Sequence, residues 1–452
     1  MPGKYLVLGS KTLRDRRAQW LVLMTLLLIS FLLAFSIRLS TINKSPVWNN
    51  WIDLKIYLHS GELIANGINP YNSGSGGITR AEIERRSSKD IGPDRSVFDM
   101  YVSSNPPLAT IVSGLVVMAT SSDWLGADEA SIVRFRIAYA FLESLIAPII
   151  LLILFFRLNS RAHFSHITAF ASLAIIPLPL LKWGTYLMED KGIEVLLMLI
   201  FLYCFTSKNE YTKYILGALF GGLSVSFKVL GVVFIPWVCW DAYFFYRENK
   251  SSHRRKLLIL AAAIAVISTA VWIVPFAGDI GTMIQTRLLR ATIHPIHSSI
   301  WTLFYSQAHS AFWKNSRMLL AIFVLSMTTY GFAKKKIGWP YATAAILMVL
   351  VPIWLQDGSL DRYNAAILPA IVLVYLDRPT SGLILCVYYI LGYVPMLYQF
   401  DERLDAAYLY GFVILFVALL VANTYRKDSA LEARDLIEES QSPRRSSLHG
   451  RL

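Results

Sequence analysis

The feature that most constrains this chain is the gathering of its apolar residues into long uninterrupted runs. Trp20–Ile37, Ile132–Phe156 and Leu257–Ala277 are examples, and the Lys and Arg residues fall mostly in short loops between such runs. A helix needs about twenty apolar residues to cross a bilayer. Hydrophobic residues make up 55% of the chain and charged residues 16%, against about 45–50% and about 25% in an ordinary soluble domain. The pattern predicts an all-α polytopic membrane protein. Its abundant Trp, Tyr and Phe suit interfacial belts as well as helix packing.

The formal net charge is +13. Because the basic residues cluster in short loops, they read as a topology signal and not as a nucleic-acid surface. Membrane lipids with anionic headgroups are the expected partners, and nucleic acid is not. Cys204, Cys239 and Cys386 all fall in apolar segments without a pairing pattern and read as membrane core.

Lys11, Arg14, Arg16 and Arg17 precede the first run, which is longer than a signal-peptide core. This places the N-terminus in the cytoplasm and residues 38–105 outside. Leu108–Thr120 is short for a crossing, and keeping it on the outer side leaves Arg157 and Arg161 in the cytoplasm. Ile193–Thr206 then returns inward, Tyr214–Phe227 goes out, and Val229–Tyr246 comes back to the basic cluster Arg247, Lys250, Arg254, Arg255 and Lys256. Continuing the alternation gives about twelve spans with both termini inside. The chain divides into a cytoplasmic N-terminus (1–19), a membrane module (20–277) with a long external region (38–131), C-terminal membrane helices (278–425) with a second external loop (278–317), and a polar tail (426–452) expected to be disordered. The charged stretch Thr79–Asp99 is expected to form a short surface helix.

Most candidate chemistry falls on the outer side. Trp51–Tyr71 is an amphipathic, aromatic-rich stretch with Asp53 near its start. A carboxylate there serves either as a base toward an acceptor hydroxyl or as a cap on helical N–H groups. In a helix, Tyr57 falls one turn beyond Asp53, and Gly67 and Pro70 stop the helix. Glu189 and Asp190 sit side by side in another outer loop, where they bind an acceptor, bind a divalent ion, or are simply solvated. Lys228 lies between two apolar runs at the tip of a hairpin. It either meets a phosphate in a cavity or snorkels to headgroups. Arg287 and Arg290 share a helical face and suit phosphate or anionic lipid. His294 and His297 follow and are read as hydrogen-bonding partners of phosphate or sugar, since two His without an acid make an incomplete metal site. Asp361 and Arg362 form the last outer cluster. Gly217, Gly221 and Gly222 suit close helix packing. No Walker loop, nucleophile elbow or zinc-protease motif is present in the sequence.

Taken together, D-x-x-x-Y (Asp53, Tyr57), G-x-N-P-Y (Gly67, Asn69, Pro70, Tyr71), the loop-final P-P-L (Pro106, Pro107, Leu108) and the segment Ser226–Leu230 leading to Ile235-Pro236 resemble the GT-C membrane glycosyltransferases. Within these, the motifs are most similar to the GT87-type polyprenyl-phosphate-mannose-dependent mannosyltransferases. Two positions depart from that pattern: Asn105 precedes the P-P-L where the family has an aromatic residue, and Gly184-Thr185 stands where it has Gly-Gln.

The resemblance implies a GT-C fold and inverting transfer of a sugar, mannose in that family, on the non-cytoplasmic face of a bacterial-type plasma membrane. It implies a polyprenyl-phosphate sugar donor, a lipid or glycan acceptor, and no metal or other cofactor. It makes Asp53 the catalytic base. Lys228, Arg287 and Arg290 would hold the donor phosphate. Tyr57, Asn69, Tyr71, Glu189, Asp190, His294 and His297 would line the substrate site. The alternatives are a transporter or lipid flippase, which would carry ionisable residues near the bilayer midplane, and a non-catalytic subunit of a cell-envelope assembly.

Overall fold

A computed structural model describes residues 8–44, 52–67, 69–71, 106–122, 129–157, 191–227, 234–248, 250–281, 311–334, 336–349, 367–393 and 411–424. All regular structure among these residues is helical. The expected surface helix at Thr79–Asp99 and the terminal tail lie outside them, as does the Asp361–Arg362 cluster.

The first apolar run belongs to a longer helix than expected, α1, Leu8–Lys44. The buried stripe Leu23, Ser30, Ala34, Arg38 and Ile42 repeats at helical spacing. Leu21, Met24 and Leu28 face outward, Leu21 at 71% exposure. A helix with apolar residues on its outward face is built for a lipid environment. Two shorter helices follow: α2, Ile52–Ala65, and α3, Pro107–Thr120. Pro107 suits the first turn of α3, because its missing N–H is one that no helix satisfies there. Next come α4, Glu129–Ser144, and α5, Ile146–Arg157, which together make an apolar stretch long enough to cross a membrane.

Ring contacts fix how these helices run. Trp20 packs on Phe155 and Phe156 at 6.0 and 5.9 Å, and Phe31 and Phe35 pack on Phe141 at 5.2 and 5.9 Å. Residue numbers rise along one partner as they fall along the other, so α1 and α4–α5 are antiparallel. The chain therefore leaves α1 and enters α4 at the same end of the bundle, with α2 and α3 between. Phe156 also meets Tyr203 at 6.1 Å, and Glu143 lies against Gly192. Both contacts put α6, Lys191–Phe205, parallel to α4–α5.

A short π-helical turn, Thr212–Leu216, leads into α7, Gly217–Phe227. This helix packs on α9, Ser252–Ala270, where Gly222 meets Ala265 and Ser268 so closely that a side chain there would collide. The small residue is used for close approach, as expected of the Gly217–Gly222 group. The continuation of α9, Val271–Asp279, is a 3-10 segment containing Pro275, which cannot supply a helical N–H. Between α7 and α9 lies α8, Ile235–Glu248. It was expected to start at Val229 and return across the membrane. Residues 228–233 lie outside the described residues; Phe234 packs on Phe201, well down α6, and α8 continues from there with Trp240, Tyr243 and Phe244 exposed. Cys239 is exposed on this helix, whereas Cys204 and Cys386 are buried.

The C-terminal helices are α10, Ala311–Ala333; α11, Trp339–Val349; α12, Ile367–Asp377; α13, Pro379–Tyr393; and α14, Gly411–Thr424. Ile367–Tyr375 of α12 is buried on every side, which makes it the central post of this group. Polar ties hold its C-terminal end and the next helix: the Gly338 N–H donates to Asp377 of α12 at 3.0 Å, and Asn423 of α14 donates to Ser381 of α13 at 2.9 Å.

Three stretches among the described residues are long and apolar enough to span a membrane: Trp20–Asn43, Ala130–Phe156 and Ser252–Asp279. Pro107–Thr120, Gly192–Phe205, Leu319–Ala333, Ile367–Asp377 and Gly411–Thr424 are apolar but shorter. At about 1.5 Å per residue, such helices rise less than the roughly 30 Å of a hydrocarbon core.

Candidate functional site

Asp53 is the second residue of α2 and Tyr57 follows one turn later, as the spacing requires. The Asp53 carboxylate and its surroundings lie outside the described residues. Tyr57 is buried beside Leu58, Leu108, Val116 and Val117, in a cluster that also takes in Phe135, Tyr139, Ile193 and Phe227. It is a packing residue at the base of the α2–α3 pair.

The two helices of that pair approach at two glycines. A Cβ on Gly61 would lie 2.7 Å from the Ser113 carbonyl oxygen, and Gly114 faces Ile64 with no more room. Ser113 and Tyr139 share a hydrogen bond at 2.8 Å, which ties the pair down onto α4. The result is a cap over one end of the bundle.

At Gly67 α2 stops, with φ +70, the left-handed geometry that glycine adopts without cost. The Asn69–Tyr71 turn then does more than end a helix. The Asn69 side-chain amide donates to the Asp279 carboxylate at 2.6 Å, 210 residues away, while its oxygen accepts from the Tyr71 N–H at 2.9 Å. The Tyr71 ring meets Phe276 edge-on at 4.9 Å, and its hydroxyl shares a hydrogen bond with Thr110 at 3.0 Å. Asn69 and Tyr71, expected to contact substrate, are thus the clamp between the cap and the end of the α9 segment. Asp279 was not singled out by sequence; its position ending an apolar run gave no cue to so distant a partner.

Other helix ends gather under the same cap. Ile193, in the first turn of α6, and Phe227, the last residue of α7, lie in the cluster with Tyr57. The stretches carrying Glu189–Asp190, Lys228, and Arg287 to His297 adjoin α6, α7 and the α9 segment in sequence. Glu189, Asp190, Lys228, Arg287, Arg290, His294 and His297 themselves lie outside the described residues.

The structure adds a group that sequence reading passed over. Arg38, Glu62, Arg136, Glu143 and Glu194 are all buried. The Arg38 Nε donates to Glu143 at 3.4 Å, and its Nη1 donates to the Ala34 carbonyl at 3.2 Å. Arg136 and Glu143 stand seven residues apart on α4 and share a face. Glu143 also lies against Gly192, at the start of α6, where the exposed N–H groups of a helix favour negative charge. Ionisable residues inside a membrane bundle are costly and mark function by default. Glu143 and Glu194 were legible as single acids within apolar runs.

The opposite end is basic. Lys213 pairs with Asp241 at 2.7 Å, Tyr214 donates to the same carboxylate at 2.8 Å, and Arg254 pairs with Glu210 at 3.2 Å. Arg254 also stacks over Phe245 at 4.1 Å. Compared with models of known protein families and with curated proteins, the chain has no match in either.

Proposed function

We propose that this chain is a multi-pass membrane glycosyltransferase of the GT-C type, with about twelve spans, acting on a polyprenyl-phosphate sugar donor, mannosyl by resemblance. The observation that carries this reading is the cap. The helix bearing Asp53 and Tyr57 and the Asn69–Tyr71 turn are fixed by Asp279 and Thr110 over the end where α6 and α7 meet it. Of the motif residues, Tyr57, Asn69, Tyr71 and Leu108 belong to this one unit. In the proposed reaction, Asp53 takes the proton from an acceptor hydroxyl on a lipid or glycan. The oxygen attacks the anomeric carbon from the face opposite the leaving group, and the bond from that carbon to the phosphate oxygen breaks. The electron pair leaves with the polyprenyl phosphate, held by Lys228, Arg287 and Arg290. Glu189, Asp190, His294 and His297 contact the sugar or the acceptor. The basic end, with Lys213 and Arg254, faces the cytoplasm of a bacterial-type plasma membrane.

The buried charges Arg38, Arg136, Glu143 and Glu194 favour a second reading, a transporter or flippase, because such groups line polar pathways through membranes. One experiment separates the two. Purified protein in liposomes is given a panel of radiolabelled polyprenyl-phosphate sugars and an acceptor lipid extract. Transfer of label to a new product supports the enzyme. Movement of intact donor across the bilayer without transfer supports the flippase.

A further inference from the structure

Helix α8 lies at the basic end, and its contacts give it two faces. Trp237 packs edge-on against Phe332, near the end of α10, at 5.9 Å. Four residues on, the Asp241 carboxylate accepts from Lys213 and Tyr214. Four further on, the Phe245 ring meets Tyr214 at 4.5 Å and the Arg254 guanidinium at 4.1 Å. A spacing of four keeps these three residues on one face, the one turned to the protein. Trp240, Tyr243, Phe244 and Arg247 share another face by the same helical spacing, and all four are exposed. Lys250, Arg255 and Lys256 follow and are exposed too. Among the described residues of this corner, Glu210, Asp241 and Glu248 meet Arg254 and Lys213. The outward charge is therefore that of Arg247, Lys250, Arg255 and Lys256. Arg255 and Lys256 stand within the first five residues of α9. Cations at that end oppose the helix dipole, so the stability of α9 does not account for them. The membrane-spanning stretch Ser252–Asp279 begins at the same point, and Ile259 and Leu260 are already exposed apolar residues. The start of the span sets this corner at the edge of the bilayer.

We propose that the α8–α9 corner is a docking surface for acidic phospholipids of the adjoining leaflet. Trp240, Tyr243 and Phe244 enter the boundary between headgroups and acyl chains, where aromatic side chains are favoured. Arg247, Lys250, Arg255 and Lys256 hold the headgroup phosphates. A neutral lipid complements the aromatic face alone, and a water-soluble polyanion complements the cations alone. An acidic phospholipid complements both at the depth where the span begins. The proposal rests on the membrane character of the chain and holds under either reading of its reaction.

The test uses the full-length protein in phosphatidylcholine nanodiscs, with a fluorophore on Cys239, the exposed cysteine of α8. Doxyl-labelled phosphatidylglycerol or doxyl-labelled phosphatidylcholine is added as quencher. Half-quenching should need at least about fivefold less of the phosphatidylglycerol, the ratio that one basic side chain near an acidic lipid supplies. Replacing Arg247, Lys250, Arg255 and Lys256 together by Gln should make the two lipids equal. Raising the salt should shrink the preference in the wild type, which reads the same attraction without any variant. Trp240→Ala with Phe244→Ala should weaken quenching by both lipids. A fluorophore on Gly278→Cys, at the capped end of a Cys239→Ser chain, should show no preference. Equal quenching at Cys239, a preference that survives the Gln variant or high salt, quenching untouched by the aromatic pair, or the same preference at Gly278→Cys would overturn the proposal. Displacement of doxyl-phosphatidylglycerol by heparin at lower concentration than by unlabelled phosphatidylglycerol would also overturn it, assigning the surface to a water-soluble acidic partner.

Discussion

The Arg38 guanidinium lies 3.4 Å from the Glu143 carboxylate, with side-chain exposures of 2% and 1%, and the pair joins α1 to α4 inside the bundle. Two charges so buried are expensive to separate. Removing one partner of a buried pair costs about 3–5 kcal/mol, whereas replacing both with apolar residues is often neutral. Arg38→Leu and Glu143→Leu should each lower resistance to unfolding in mixed detergent by that amount. The double variant should recover most of the loss. A coupling near zero in this cycle would show that the pair does not bear on stability.

The Asn69–Asp279 hydrogen bond predicts a matched pair of defects. A hydrogen bond to a charged group contributes about 1.5–3 kcal/mol. Asn69→Ala and Asp279→Ala should each loosen the cap, and their effects should not add. Limited proteolysis of the 38–105 region checks this: both single variants and the double should be cut at similar, faster rates than wild type.

The close approach of α2 and α3 rests on glycine. Gly61→Leu or Gly114→Val must push the helices apart, because the added Cβ meets backbone or a β-branched neighbour. Overpacking of this kind costs about 1–3 kcal/mol. Gly278→Ala serves as the control, since a Cβ there meets nothing within 4 Å. The expected order of thermal stability is wild type and Gly278→Ala together, with both packing variants below.

These relationships show how much the residues alone disclosed. The Asp53–Tyr57 turn, the stop at Gly67 and the glycine contact at Gly222 follow from local geometry, and each was legible. The short helix Pro107–Thr120 was legible from its length and from the charges that would otherwise be misplaced. Asn69 and Asp279 were not legible as partners, because nothing in either neighbourhood encodes a contact 210 residues distant. Arg38 directly follows the first apolar run in sequence, and only the packing of α1 on α4 shows it buried against Glu143. The expected span from Val229 begins outside the described residues, and its described part, Ile235–Glu248, is a helix with a mixed aromatic and polar surface.

The two ends of the bundle should lie on opposite sides of the membrane. Gly278→Cys, at the capped end, should react with a membrane-impermeant maleimide in intact cells in a background with the native cysteines replaced. Lys250→Cys, beside the basic cluster, should react only after permeabilisation. The reverse pattern would invert the topology.

The central claim is that Asp53 acts as the base in sugar transfer. The most direct measurement is initial transfer rate from a polyprenyl-phosphate sugar to acceptor lipid, by purified wild type and by Asp53→Asn, which keeps the shape and removes the base. Loss of general-base catalysis predicts a rate lower by at least about 10²-fold with donor binding retained. Wild-type transfer by Asp53→Asn would contradict the account.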